Sequence, residues 1–106
     1  MDERATRIGK NEALFREVNE RIREISAYDQ DAEFLCECGD ESCTRPITMT
    51  LDEYEQLRGD ATHFAVVPGH VAPDVESVIS QGERYWVVEK DVGEPAGLAA
   101  GLDPRA

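Results

Sequence analysis

The sequence predicts an α+β domain with the element order α-β-β-α-β-α-β, built on a small, mostly antiparallel sheet. Three observations carry that expectation. Apolar residues recur at helical spacing across residues 11–28. Short β-prone runs bounded by turn signals lie at 32–36, 46–49, 64–67 and 85–89. Between the later runs, Thr50 and Pro73 each open a segment with a helix-start signal.

In the first helix, an N-terminal amphipathic one, Leu14, Phe15, Val18, Ile22 and Ile25 form the apolar stripe, and Glu17, Glu20, Arg21, Arg23 and Glu24 the opposite face. Such a stripe packs on the rest of the domain. It is also a candidate seam for a homodimer through helix 11–28, although it runs for under three heptads. Residues 32–36 enter the cysteine turn as a strand and 46–49 leave it as another, giving a hairpin. Thr50-Leu51-Asp52-Glu53 reads as a capping box, opening a short helix that turns Leu51, Tyr54 and Leu57 inward and stops at Gly59. Phe64-Ala65-Val66-Val67 is the third strand, ended by Pro68-Gly69. Pro73 suits the first turn of another short helix, with Val75, Val78 and Ile79 on one side and Gln81-Gly82 closing it. Tyr85-Trp86-Val87-Val88-Glu89 is the last strand.

Residues 1–9 show no clear apolar period and are expected as a flexible N-terminus. Residues 91–106, rich in Gly, Ala and Pro, are expected as a flexible tail. Residues 10–90 then form a single metal-stabilised domain. At roughly 80 residues the hydrophobic core is thin, and a staple helps to hold it.

The formal net charge is −12, and residues 31–60 carry nine acidic side chains against two basic ones. Phosphate backbones are repelled by such a surface, so nucleic acid is not an expected partner. The chain opens Met-Asp-Glu-Arg without a signal peptide and has no apolar run that spans a bilayer. A cytoplasmic location and no membrane partner are the expectation.

All three cysteines fall within eight residues, as Cys36-Glu37-Cys38-Gly39-Asp40-Glu41-Ser42-Cys43. In a reducing compartment such a cluster points to metal ligation or redox chemistry rather than a structural disulfide, and an odd count leaves one thiol over. Residues two apart in a strand share a face, so Cys36 and Cys38 present their sulfurs together. Gly39 permits the sharp turn that returns Cys43. The acidic neighbours Glu37 and Glu41 raise a free thiol's pKa and favour a bound cation, which sorts the cluster toward metal. Three sulfurs leave one ligand to find for a tetrahedral structural zinc. His70, in the Pro68-Gly69-His70 turn, is preferred by position. His63, opening the third strand, is the alternative, with water or a carboxylate behind both.

The stretch from Asn11-Glu12-Ala13-Leu14-Phe15-Arg16-Glu17-Val18-Asn19-Glu20 continues through Cys36-Glu37-Cys38 and Cys43 to Glu53-Tyr54-Glu55 and Arg58. It closes with Pro68-Gly69-His70 and Val87-Val88-Glu89-Lys90. Over residues 10–90 this resembles a family of small bacterial proteins typical of actinobacteria. The resemblance implies that Cys36, Cys38, Cys43 and His70 form one signature and brings no activity with it.

No phosphate loop, G-x-S-x-G elbow or zinc-deaminase signature occurs. The expectation is therefore a non-enzymatic, zinc-finger-like binding module with a structural Cys3His site that engages a protein partner. The alternative is a thiol- or zinc-based redox sensor, or a small zinc enzyme whose open site has only the three cysteines as ligands.

Overall fold

The Asp2 carboxylate accepts a hydrogen bond from the Ala5 amide at 2.7 Å and so caps a helix that begins eight residues before the expected start. This helix, α1 (Glu3–Ile25), ends where Ser26 turns extended. The computed structural model describes residues 2–27 and 31–105, so Tyr28, the expected helix end, lies outside the described residues.

The buried face of α1 runs through Ala5, Ile8, Glu12, Phe15, Arg16 and Asn19 at steps of three and four. The expected stripe is only partly the packing face. Phe15 is buried and Ile22 packs on the core, whereas Leu14, Val18 and Ile25 are 55%, 37% and 87% exposed. Three polar side chains set this rotation, because each finds partners inside. Arg16 donates to the carbonyls of Ala61 (2.7 Å) and Ala99 (2.8 Å) and lies 4.7 Å above the Phe64 ring.

Strands β1 (Ala32–Leu35) and β2 (Pro46–Met49) pair antiparallel around the cysteine turn. Helix α2 (Leu51–Arg58) follows at once, with the capping box formed: Glu53 N–H donates to Thr50 Oγ1 at 3.1 Å and Thr50 N–H to Glu53 Oε1 at 2.9 Å. Its buried face carries Leu51, Tyr54 and Leu57, and Tyr54 stacks on Phe34 with ring centroids 4.5 Å apart. A second sheet has the order β3-β5-β4, from β3 (His63–Val66), β4 (Glu76–Gln81) and β5 (Trp86–Lys90), all antiparallel. The class is α+β, with two small antiparallel sheets rather than one.

Residues 76–81 were expected as a helix after Pro73 and form β4 instead. Val75, Val78 and Ile79 fit a helical face by spacing, but Val78 pairs with Val88 of β5 and Ile79 sits in a bulge between Val78 and Ser80. Their branched Cβ atoms favour the extended form, and β5 supplies the ladder partners. Glycine and alanine in residues 91–106 do not leave that segment outside the domain. Helix α3 (Glu94–Gly101) packs on α1, with Ala99 buried. The close approach is made by Gly9 of α1: a Cβ added there would sit 2.6 Å from Leu98 of α3. Alanine is also the strongest helix former. Among the described residues no helix is long and apolar enough to cross a membrane.

One buried cluster ties α1 to the second sheet. Lys90 donates to Glu12 at 2.6 Å and to Glu76 at 3.2 Å, and all three side chains are buried. Two carboxylates face one ammonium, so one carboxyl retains its proton. Burial pushes Glu12 up to about 9, and its hydrogen bond to Glu76 pushes the same way. The unfolded chain releases that proton near pH 4.5 while the folded chain keeps it. This contribution is therefore complete below about pH 4.5 and is lost as pH rises through about 9. Glu12→Gln should remove the dependence. Urea midpoints at pH 6 and pH 8.5 should fall for the wild type relative to the variant, with a slope of at most about 1.4 kcal/mol per pH unit. Parallel curves for the two proteins would place the proton elsewhere.

Candidate metal centre

The strand alternation of β1 continues past its end. Cys36 N–H donates to Arg45 O (2.9 Å) and Glu37 N–H to Ala65 O (2.8 Å), joining the cysteine hairpin to β3. Cys36 and Cys38 therefore face one side and Glu37 the other. The turn back to Cys43 is built by Asp40, whose Oδ1 accepts from the Ser42 amide (2.9 Å) and hydroxyl (2.7 Å). The Cys43 amide donates to Asp40 O at 3.0 Å. Gly39 is needed here for room rather than for a positive φ. A Cβ at that position would overlap Ile8 of α1, and Asn11 Nδ2 donates to Gly39 O at 3.0 Å.

Histidine arrives from the other sheet. β3 leads into Val67-Pro68-Gly69-His70, where the His70 amide donates to Val67 O at 2.9 Å and Gly69 has φ +89°. Proline second and a positive-φ glycine third is the type II turn pattern. A Cβ on Gly69 would touch nothing within 4 Å, so backbone conformation alone reserves the position for glycine.

The two turns bring four ligand atoms together. Cys36, Cys38, Cys43 and His70 each offer one atom, all within 4.8 Å of one another, and this group could hold a metal ion. His70 Nδ1 lies 3.6 Å from Cys36 Sγ and 3.7 Å from Cys43 Sγ. The three cysteines are buried and unbridged, and His70 is half-buried. Val67 N–H points at Cys36 Sγ from 3.1 Å, a donor that suits a thiolate. The thiols do not ionise alike: the hydrogen bond from Cys36 pulls Cys38 down to about 5, and the same bond, with burial, pushes Cys36 up. One thiolate is thus available without a strong base, the state a metal needs to begin displacing protons.

Glu37, between the ligands, has a different part from the expected one. Expected as an acidic neighbour acting on the thiols, it is a buried hub. Glu37 Oε1 accepts from Arg58 (2.9 Å) and the Ala65 amide (3.0 Å), and its Oε2 from Asn19 Nδ2 (2.8 Å). Asn19 also bonds both ways with the backbone of Leu35, donating at 2.9 Å and accepting at 2.8 Å. Arg58, the last residue of α2, turns inward over Tyr54 and Phe64 and donates to His63 O at 3.0 Å. These residues hold the ligand loops without touching the ligand atoms. The alternation that pairs Cys36 with Cys38 is the signal that aims Glu37 inward.

His63 is not in this cluster. Its Nε2 lies 2.9 Å from Glu89 and 3.4 Å from Asp60, so the structure gathers His70 with the cysteines and leaves His63 apart. No protein-family model matches the chain, and neither a curated protein nor a solved structure matches it. What the centre can do is therefore decided by its own donor atoms.

Proposed function

We propose that the chain is a small zinc-stabilised module, with Zn²⁺ on Cys36, Cys38, Cys43 and His70, that works by binding another protein. The separations of His70 Nδ1 from two sulfurs, 3.6 and 3.7 Å, carry this reading. With Zn–S near 2.3 Å and Zn–N near 2.0 Å, the edges of a zinc tetrahedron are roughly 3.5–3.8 Å. Three thiolates and an imidazole form a donor set suited to zinc, and four protein ligands make a closed, structural site. Partner binding is supported by Leu14, Val18 and Ile25, which lie outward along α1 and suit a protein surface or a second copy of the chain. The acidic surface favours neither nucleic acid nor an anionic membrane. The family resemblance over residues 10–90 is proposed in the same sense.

A second reading, an open site with catalytic or redox use, is favoured by one feature. A groove of about 470 Å³, bounded by Arg4, Arg7, Ile8, Cys38, Asp40 and His70, reaches the edge of the ligand cluster. Native mass spectrometry of protein prepared under reducing conditions separates the two. One tightly held Zn²⁺ per chain, lost in both Cys43→Ser and His70→Ala, is expected. Protein without metal would overturn the zinc reading. Full zinc retention in a folded His70→Ala protein would favour the open site.

A further inference from the structure

On the second sheet, His63 and Glu89 are directly opposed on β3 and β5. Asp60, three residues before His63, completes a trio whose ligand atoms lie within 4.8 Å of one another. His63 Nε2 faces both carboxylates, Glu89 Oε2 at 2.9 Å and Asp60 Oδ2 at 3.4 Å. The frame is rigid. Asp60 Oδ1 accepts from the amide (2.9 Å) and hydroxyl (2.7 Å) of Thr62, which leaves Oδ2 turned to the imidazole. The His63 amide donates to Asp60 O (3.1 Å), its carbonyl accepts from Arg58 (3.0 Å), and Lys90 N–H donates to Thr62 O (2.9 Å). The site's members are thus set by a turn and two strands rather than by side-chain chance.

Charge separates this trio from an ordinary surface ion pair. Among the described residues, Asp60 and Glu89 both face the His63 imidazole, and no arginine or lysine bridges either carboxylate. Even with His63 protonated, two carboxylates leave one negative charge over, in a chain that already carries −12. A divalent ion in place of that proton, with neutral imidazole, balances the trio. The carboxylates are each 48% exposed at the side chain, so water can complete the coordination.

We propose a second, solvent-open divalent-cation site formed by Asp60, His63 and Glu89. One imidazole nitrogen and two carboxylate oxygens suit a borderline or harder transition ion such as Mn²⁺, Co²⁺ or Zn²⁺, and lack the thiolates that would select a soft one. The site is independent of the zinc proposed for Cys36, Cys38, Cys43 and His70. Its loss or its absence leaves that reading untouched.

Mn²⁺ is the probe, because it prefers oxygen and nitrogen donors and broadens nearby NMR signals. It is titrated into the full chain as purified, with zinc present. Broadening should begin at His63, Glu89 and the 60–63 turn. In His63→Ala, and separately in the size-conserving Glu89→Gln, the apparent affinity should fall by more than about tenfold. Each variant's folding is checked by circular dichroism, and Glu89→Gln carries the test if His63→Ala fails to fold. Broadening spread over the acidic surface, or equal affinity in wild type and the folded variants, would overturn the proposal.

Discussion

Chelation of the proposed zinc should unfold the protein rather than merely deprive it of an ion. Zinc supplies on the order of 10–16 kcal/mol to small thiolate-rich sites at neutral pH, strongly dependent on pH. A domain of this size is stable by only about 5–15 kcal/mol in total. The ligands lie on turns that join the two sheets: Cys36, Cys38 and Cys43 on the β1–β2 connection, and His70 beyond β3. Removing the ion leaves three thiols crowded in a buried pocket, with Cys36 held protonated by its neighbour and by burial. A strong chelator at pH 7 should therefore abolish the cooperative thermal transition seen by circular dichroism. Cys38→Ser should behave as the chelated wild type does. Acid should act in the same direction, because metal binding releases thiol protons and weakens as pH falls. A chelated protein that still melts cooperatively near the wild-type temperature would show that the packed core suffices without metal.

The parts of this centre legible in the sequence are the local ones. Three cysteines within one turn and a Pro-Gly-His turn are compact signals, and the structure brings all four side chains together. The Thr50–Glu53 capping box is local in the same way, since both partners lie within one helical turn. Partners far apart along the chain are what the sequence conceals. Glu37 and Arg58 are 21 positions apart, and Asn19 and Glu37 are 18. Each reads as an ordinary surface residue until the fold places it beside the other.

The same difficulty explains the two elements, β4 and α3, whose structure departs from the sequence expectation. Val75, Val78 and Ile79 are compatible with a helical face or a bulged strand, and only the distant partner β5 decides between them. In α3, small side chains carry almost no hydrophobic pattern, yet Leu98 rests on Gly9 of α1 and Ala99 is buried. On α1 part of the apolar stripe, Phe15 and Ile22, packs inward beside the polar residues Glu12, Arg16 and Asn19. Glu12, Arg16 and Asn19 have charged or carbonyl partners waiting inside, while Leu14, Val18 and Ile25 can remain in water at modest cost.

Glu37→Ala should be the most damaging single change outside the ligand set. It removes the counter-charge from Arg58, whose side chain is only 2% exposed, and leaves the Ala65 amide without its acceptor from the side chain. Breaking one half of a buried ion pair typically costs about 3–5 kcal/mol, because the surviving charge stays buried and uncompensated. Arg58 has little in reserve. Its Nε and NH1 atoms have no hydrogen-bond partner, and Tyr54 and Phe64 offer only their ring faces, at 5.3 and 5.7 Å. Glu37→Gln keeps an acceptor of the same shape and should lose less, while the double change Glu37→Gln with Arg58→Met should recover part of the loss by removing both charges. Urea denaturation of the wild type, Glu37→Gln, Arg58→Met and the double variant measures the coupling. Because Glu37 stands between Cys36 and Cys38 in the chain, the single variants should also release the proposed zinc faster to a competing chelator. If Glu37→Ala stays within about 1 kcal/mol of the wild type, below the usual cost of breaking a buried pair, or if zinc exchange does not change, Glu37 is not the support that holds the two ligands in place.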